Sequence, residues 1–310
     1  MRLTIFAAMA AFLVAALCVP QVFDDSAFLF ACAYGFVRVS QIALFTLASR
    51  DDAGLRRSVI GLAGSTAVGV GLLLVASFAD GILQGTVWAL ALLLDMAGPF
   101  FFGAEGWKLV PGHFAERHGL IVLIALGESI VAIGVGAEAG VTAGVVAAAV
   151  LGIVVAAAQW WLYFDVVAIV AERRLSQAEV GREQNEIARD SYSFLHFPMV
   201  AGIVLVALGM KKTLGDVDDP LKFVPATAML AGTALYLLAH IAFRLRNVHT
   251  LALHRLVCAA LLVALLPVAV RVPALATLGI LAAILCVLIA YEATRFSEAR
   301  HRVRHQPAHE

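Results

Sequence analysis

Ten runs of apolar residues, each about 20 residues long, alternate with short polar segments along the chain. A helix needs about 20 apolar residues to cross roughly 30 Å of hydrocarbon. The pattern therefore predicts an all-α, polytopic membrane protein with about ten transmembrane helices. The predicted spans cover residues 3–22, 27–49, 58–78, 81–102, 117–136, 142–171, 191–210, 223–243, 255–270 and 274–293.

Composition strengthens this prediction. Hydrophobic residues make up 62% of the 310 residues, charged residues only 14%, and the mean hydropathy is +0.93. Soluble chains are about half apolar and about a quarter charged. The formal net charge is zero, so we expect the lipid bilayer, and no nucleic acid, as a partner.

The basic residues are distributed unequally between the two sides of the predicted spans. Seventeen fall on one side, and the other side receives only Lys211, Lys212, Lys222 and Arg271. Loops rich in Lys and Arg stay in the cytoplasm. We therefore predict that both termini are cytoplasmic, which requires an even number of spans.

The spans are predicted to form one domain, residues 1–294, followed by a disordered cytoplasmic tail, residues 295–310. Mixed charges in the loop 172–190 favour a solvated helix that caps the spans, with a partner-docking surface as the alternative. A short Asp-Asp loop occurs at residues 24–25 and again at 218–219, each time 25 residues before an arginine. This spacing suggests that spans 1–4 are repeated as spans 7–10 in the same orientation, a known transporter plan.

Glu128 lies near the middle of the fifth apolar run. A charge there costs roughly 2.5 to 3.5 kcal/mol, so such a residue is normally paired, protonated or functional. Arg117, Ile121, Ile124 and Glu128 share one helical stripe, and the 11 steps from Arg117 to Glu128 rise about 16 Å. Glu116 and Arg117 stand at the cytoplasmic mouth. The expectation is a deep ionisable site for a proton or ion, and the alternative is a clamp between two helices.

Glycines in this span predict close helix packing. Gly119, Gly127 and Gly134 would let a neighbouring backbone approach.

Arg38 is the one cation inside a predicted span, and Gln41 lies one turn away. An arginine at mid-membrane requires a carboxylate or a water-filled cavity. Glu128 is at matching depth, whereas Asp95 and Asp165 are nearer the cytoplasm. We therefore expect an ion pair between Arg38 and Glu128.

Three further polar residues fall in the cytoplasmic third of the spans. Asp95 precedes Gly98-Pro99, Asp165 closes an aromatic run, and His196 lies one turn inside the seventh span. With Arg117 they would line a vestibule that leads to Glu128. The alternatives are an interfacial aromatic belt at Asp165 and a hydrogen-bonding clamp at His196.

Motifs for enzyme chemistry are not found in the sequence. There is no nucleotide-binding loop and no GxSxG elbow, and the four cysteines are far apart in apolar runs. His113, Glu116 and His118 share a loop and helix start, but their spacing fits no standard zinc motif. We expect no enzyme activity and no cofactor.

Three stretches resemble the bacterial low temperature requirement A (LtrA) family. They are Glu116 to Ile121 with Leu126 to Ile130, Trp160 to Asp165, and Asp190 to Tyr192 with His196 to Pro198. The resemblance covers nearly the whole chain. It implies a multi-pass protein of the bacterial inner membrane linked to growth in the cold, but no settled substrate. The family's usual first two helices are not found at the start, so we expect the native chain to begin further upstream.

Two functions follow as expectations. The first is a secondary transporter or proton- or ion-coupled carrier of an unknown small solute, proton or cation, with Glu128 as the deep site. The second is a non-transporting scaffold or cold- and stress-response protein whose buried charges only determine helix packing. Either is compatible with an oligomer. A lipid-acting enzyme is a third reading, which the lack of a clustered nucleophile or metal set disfavours.

Overall fold

The chain divides into two compact units. In this computed structural model, residues 2–102, 106–136 and 140–305 are described. Unit 1 comprises Met1–Leu109 with Glu179–Glu186, and unit 2 comprises Val110–Ala178 with Ile187–Glu310. The described residues of both units form helices and no β-strand, which confirms the all-α prediction.

The elements of unit 1 are α1 (Arg2–Cys18), α2 (Ala27–Ala48), α3 (Ala53–Ala76), α4 (Gly81–Phe102) and α8 (Arg182–Ile187). Four consecutive helices of unit 1, α1 to α4, each pack on the next in sequence, and a separate segment adds α8. Trp88 of α4 forms the centre of the small core of unit 1, where its ring lies 4.7 Å from the ring of Phe30. Small residues such as Ala31, Ala76 and Ala91 around it let the helices approach closely.

Unit 2 carries most of the buried residues. Its helices are α5 (Pro111–Gly136), α6 (Ala143–Phe164), α7 (Val167–Gln177), α9 (Leu195–Gly215), α10 (Phe223–Val248), α11 (Leu253–Ala264), α12 (Leu266–Ala269), α13 (Ala274–Arg295) and α14 (Ser297–His305). Helices α9 and α10 form its centre, with α5 against α9, α11 against α10, and α6 against α13.

Glycines allow α9 and α10 to pack backbone to backbone. A Cβ atom on Gly202 would lie 2.6 Å from the carbonyl oxygen of Gly232, and one on Gly209 would lie 2.4 Å from Cβ of Met229. The predicted close contacts along α5 are different. Gly127 and Gly134 have no described atom within 4 Å of an added Cβ, so the close approach predicted there is wrong. At Gly119 the nearest atoms belong to the Phe164 side chain instead of a backbone.

Two predicted spans are interrupted. The sixth, predicted to run to residue 171, breaks after Phe164 and resumes at Val167, which places Asp165 at the junction. The ninth breaks at Leu265 because Pro267 has no N–H group and its ring clashes with the preceding turn.

The helix that leads into α9 contains a π-helical segment, Ala188–Phe194. Pro198 follows within α9 and offers no N–H to the carbonyl group four residues earlier. Single π turns of this kind are frequent at functional sites. Here the segment carries Ser191 and Tyr192, which contact the buried histidines described below.

Nine helices in the described residues are long and apolar enough to cross a membrane, and Leu253–Ala269 is a shorter apolar tenth. The polytopic fold is therefore confirmed, while the parallel repeat stays a prediction. The polar loop 172–190 is largely helical, through the end of α7, α8 and the start of the π segment. The tail is helical over Ser297–His305, which corrects the predicted disorder, and residues 306–310 lie outside the described residues.

Candidate functional site

A buried ion pair joins α11 to α13 in unit 2. Arg255 Nε donates to Glu292 Oε1 at 2.7 Å, and Nη2 donates to Oε2 at 2.8 Å. Only 8% of the Arg255 side chain and 10% of the Glu292 side chain are exposed. His254 Nε2 also contacts Glu292 Oε1, at 2.8 Å. The carboxylate is thus held on both oxygens in the fork geometry that makes arginine pairs strong.

His240 of α10 continues this cluster inward. Arg255 Nη1 lies 3.2 Å from His240 Nδ1. A guanidinium group only donates, so Nδ1 is the acceptor and a neutral His240 carries its proton on Nε2. That Nε2 is buried and has no hydrogen-bond partner among the described residues.

His196 of α9 is in the opposite tautomer. Its Nδ1 lies 3.0 Å from the Ser191 carbonyl oxygen of the π-helical segment. A carbonyl only accepts, so Nδ1 carries the proton and Nε2 is left to accept. Tyr163 Oη, 2.7 Å away, donates to that Nε2.

Ring contacts extend the cluster on both sides of the hydrogen bond between Tyr163 and His196. The ring of Tyr163 lies 5.9 Å from that of His240, and the ring of His196 lies 5.2 Å from that of His118. The six side chains Glu292, Arg255, His240, Tyr163, His196 and His118 thus form a row, which we call the buried track.

A fully buried amide lies beside the track. Gln159, one turn before Tyr163 on α6, is completely buried, and neither side-chain amide atom has a hydrogen-bond partner among the described residues. Its backbone carbonyl accepts a hydrogen bond of 2.5 Å from Tyr236, whose ring lies 4.4 Å from His240. An unsatisfied buried polar group costs about 1–3 kcal/mol, so the track is not optimised for packing alone.

A cavity of about 190 Å³ opens at the Glu292 end of the track. Charged side chains from four helices contribute to its wall: Arg244, Arg255, Glu292 and Arg300. The remaining wall is largely apolar and comes mainly from α7, α10 and α14. A polar network in unit 2 therefore meets a space of small-molecule size.

Asp165, predicted to line a vestibule, lies close to this cavity. It forms an ion pair with Arg300 of α14, and the Arg300 guanidinium carbon lies 5.7 Å from the centre of the Trp161 ring. Burial lowers the pKa of Arg300; the Arg255 charge lowers it further, and the Glu292 charge acts in the opposite direction. The pair joins α14 to the junction between α6 and α7 beside the cavity.

The stripe of α5 faces outward. Arg117, Ile121, Ile124 and Glu128 are all exposed, as the predicted shared face requires. Among the described residues no hydrogen bond or ion pair to Glu128 is found, whereas His196 is buried. Glu128 and His196 therefore do not meet in one vestibule within unit 2.

The two histidines near the start of α5 face in different directions. His113 Nδ1 contacts Glu116 Oε2 at 3.3 Å on the exposed face, while His118 turns inward and bonds the Phe114 carbonyl at 2.9 Å. No group of three His, Cys, Asp or Glu side chains in the described ranges is placed to hold a metal ion.

Unit 1 holds its own carboxylate. Arg38 Nη2 donates to Asp95 Oδ1 at 2.6 Å, and Thr66 donates to the same oxygen at 3.0 Å. Tyr34 donates to the other oxygen, and Arg38 also bonds Gln41 at 3.2 Å. The predicted pairing of Arg38 with Glu128 is therefore wrong, because Asp95 takes that place.

Four members of the track were not singled out from the sequence as site residues. His240, Arg255 and Glu292 each interrupt an apolar run or lie at its end, which is the signal that identified His196. Tyr163 belongs to an aromatic run that an interfacial belt explains equally well. Its role becomes visible only through the hydrogen bond to His196.

Comparisons with known proteins agree with the helical architecture. A family model described as "Bacterial low temperature requirement A protein (LtrA)" matches residues 1–290. The chain is similar to "Uncharacterized protein RA0937" of Rhizobium meliloti (strain 1021), with 27% identity over 248 residues. The match covers 76% of this chain and 60% of that relative, so the chain spans about 60% of the relative's length. No solved structure matches.

Proposed function

Because the chain belongs to the bacterial low temperature requirement A family, we propose that it is a proton- or ion-coupled carrier in the cell inner membrane. Its partners are the lipid bilayer and a small solute, proton or cation, and its activity is transport and not catalysis. The uneven distribution of Lys and Arg supports cytoplasmic termini. The cavity then lies at the cytoplasmic ends of α10 and α13.

One observation carries the proposal: the buried track leads from the cavity wall across six helices in the cytoplasmic third of unit 2, as far as His196 and His118. Its ionisable site is Glu292 with His240, in place of Glu128, because Glu128 faces away from the core. Ionisable groups inside a membrane bundle mark ion pathways and proton relays. His240 Nε2 has no hydrogen-bond partner among the described residues, which is costly for a protein that needs only packing.

The tautomers of His240 and His196 set the direction in which a proton can move along the buried track. His240 presents an N–H at Nε2, Tyr163 presents a hydroxyl, and His196 presents an acceptor at Nε2. A proton passes when His240, protonated first on Nδ1, gives its Nε2 proton to Tyr163 while Tyr163 gives its own proton to His196, which becomes the imidazolium. Rotation of side chains must first close the 5.9 Å ring separation between His240 and Tyr163.

Glu292 would act as the gate. Arg255 covers His240 Nδ1 at 3.2 Å, so a proton reaches that nitrogen only when the guanidinium moves. The guanidinium is held by the Glu292 carboxylate at 2.7 and 2.8 Å. Protonation of Glu292 removes the charge that holds Arg255 and frees His240 to accept a proton.

Proton movement into vesicles tests the proposal. The purified full chain is reconstituted with a pH-sensitive dye inside, and a potassium diffusion potential drives protons. Tyr163→Phe removes only the hydroxyl that donates to His196, so we expect the rate to fall by about tenfold or more. Tyr236→Phe is the matched control, because its equally buried hydroxyl bonds a backbone carbonyl.

Two results would overturn the proposal. A wild-type rate equal to that of protein-free vesicles would remove the carrier function. A normal rate in Tyr163→Phe would remove the track as the route. Elution of every variant as a single sharp peak in detergent controls for folding.

The second candidate is a non-transporting scaffold or cold- and stress-response protein. The Arg38–Asp95 cluster favours it, because both carboxylate oxygens are bonded and Asp95 is only 8% exposed. A carboxylate held on both oxygens orients the three helices around it without requiring a pathway. The scaffold is the better description if the wild-type vesicles show no proton movement.

A further inference from the structure

The cavity of unit 2 combines an apolar wall with one arginine that no described carboxylate neutralises. Arg255 is paired with Glu292, and Arg300 is paired with Asp165. Arg244 has a single described bond, from Nε to Thr250 Oγ1 at 2.8 Å. The wall therefore keeps one positive charge available for a ligand.

The remaining wall selects the rest of that ligand. Val167, Val170, Phe243, Phe296 and Val303 all line the cavity. A cavity of about 150 Å³ with aliphatic and aromatic walls binds benzene, so the roughly 190 Å³ here holds about six to eight heavy atoms of a ligand, and the end of a longer chain extends through its open side. The two features together describe a small molecule with an anionic head and an apolar tail.

We propose that this cavity binds an aliphatic carboxylate, with Arg244 at the head and the valine and phenylalanine side chains around the tail. A carboxylate carries one negative charge, which matches the single uncompensated guanidinium, and its two oxygens fit the planar fork of donors. A phosphate dianion would need a second cation, and Arg255 and Arg300 are already engaged. This inference rests on the proposed function in one respect only: it takes the aliphatic carboxylate to be the solute that the carrier moves.

Calorimetric titration of the purified full chain with octanoate tests the inference. Octanol, which has the same tail and no charge, is the matched ligand, and we expect it to bind at least about tenfold more weakly. Palmitate supplied in lipid vesicles forms a separate arm. Binding of palmitate with weak octanoate binding would support the same carboxylate site filled from the bilayer.

Three substitutions test whether octanoate binds in this cavity. Arg244→Gln removes the charge, and we expect about a tenfold or larger loss of octanoate affinity. Val170→Phe fills the apolar part without changing a charge, so binding should be lost. Arg246→Gln is the control, because Arg246 is on the same helix end, pairs with Asp190 at 3.0 Å and does not line the cavity.

Three results would overturn the inference: equal affinity for octanoate and octanol, unchanged octanoate affinity in Arg244→Gln, or no binding of octanoate or palmitate to the wild type. Octanoate binding without proton movement in vesicles would leave the inference standing and remove the carrier. Proton movement without carboxylate binding would remove only the inference.

Discussion

Arg255 and Glu292 are joined by two parallel hydrogen bonds, at 2.7 and 2.8 Å, and almost no surface of either side chain is exposed. The pair lies between a histidine that contacts its carboxylate and another that accepts from its guanidinium. The pair therefore links the cavity to the rest of the buried track. Disruption of the pair should affect stability and transport together.

Removal of one partner of this pair should be strongly destabilising. Glu292→Leu leaves the Arg255 charge buried and uncompensated, which costs about 3–5 kcal/mol. The double variant Glu292→Leu with Arg255→Met should recover most of that loss, because neither charge then remains. Thermal unfolding in detergent measures all three proteins. A double variant as unstable as the single one would show that the charges are not each other's main partners.

A double-mutant cycle should identify Asp95 as the partner of Arg38. We expect a coupling free energy of about 0.5–3 kcal/mol between Arg38→Met and Asp95→Asn, since the two side chains share a direct contact. The matched cycle of Arg38→Met with Glu128→Gln should give less than about 0.5 kcal/mol. Denaturant unfolding supplies the free energies. Larger coupling to Glu128 would restore the pairing predicted from depth alone.

Substitution of Gly202 by a residue with a Cβ atom should disrupt the contact between α9 and α10. That atom would lie 2.6 Å from a carbonyl oxygen and 2.9 Å from a backbone nitrogen, and neither can move without shifting a helix. We expect Gly202→Ala to lower the free energy of unfolding by about 1–3 kcal/mol. Gly127→Ala on α5 is the control, because no described atom lies within 4 Å of its added Cβ. Equal stability of the two variants would contradict this packing.

Asp52, outside the spans, should make the stability of α3 depend on pH. The hydrogen bond from the Leu55 N–H is the main cause that lowers the pKa of the Asp52 carboxyl; desolvation opposes it, and Lys108 lowers the pKa further. A carboxyl whose folded pKa is depressed adds stability above its unfolded pKa and loses it as the pH falls through the folded pKa. The difference in melting temperature between wild type and Asp52→Asn should therefore be largest near neutral pH and shrink below about pH 4. A difference that does not change with pH would assign the effect to the cap geometry alone.

The position of each polar residue along its helix followed from the sequence. Helices α2, α4 and α10 begin at the residues that the apolar pattern predicted, and His196 lies near the start of its apolar run. This succeeds because a membrane helix satisfies its backbone groups within its own segment, so local hydropathy determines where it lies. The interruption at Asp165 was missed because neither Pro nor Gly marks it.

The direction in which each polar residue faces was decided only by the tertiary structure. Glu128 and Arg38 were matched by depth, yet Glu128 faces outward and Arg38 meets Asp95. Depth follows from the rise of about 1.5 Å per residue, but the facing direction depends on which other helix packs there. Such packing depends on contacts between residues far apart in sequence, such as Arg38 with Asp95 or Tyr163 with His196. The sequence alone thus determined a polytopic helical membrane protein and the helix on which each charge lies, while helix packing decided which of those charges meet.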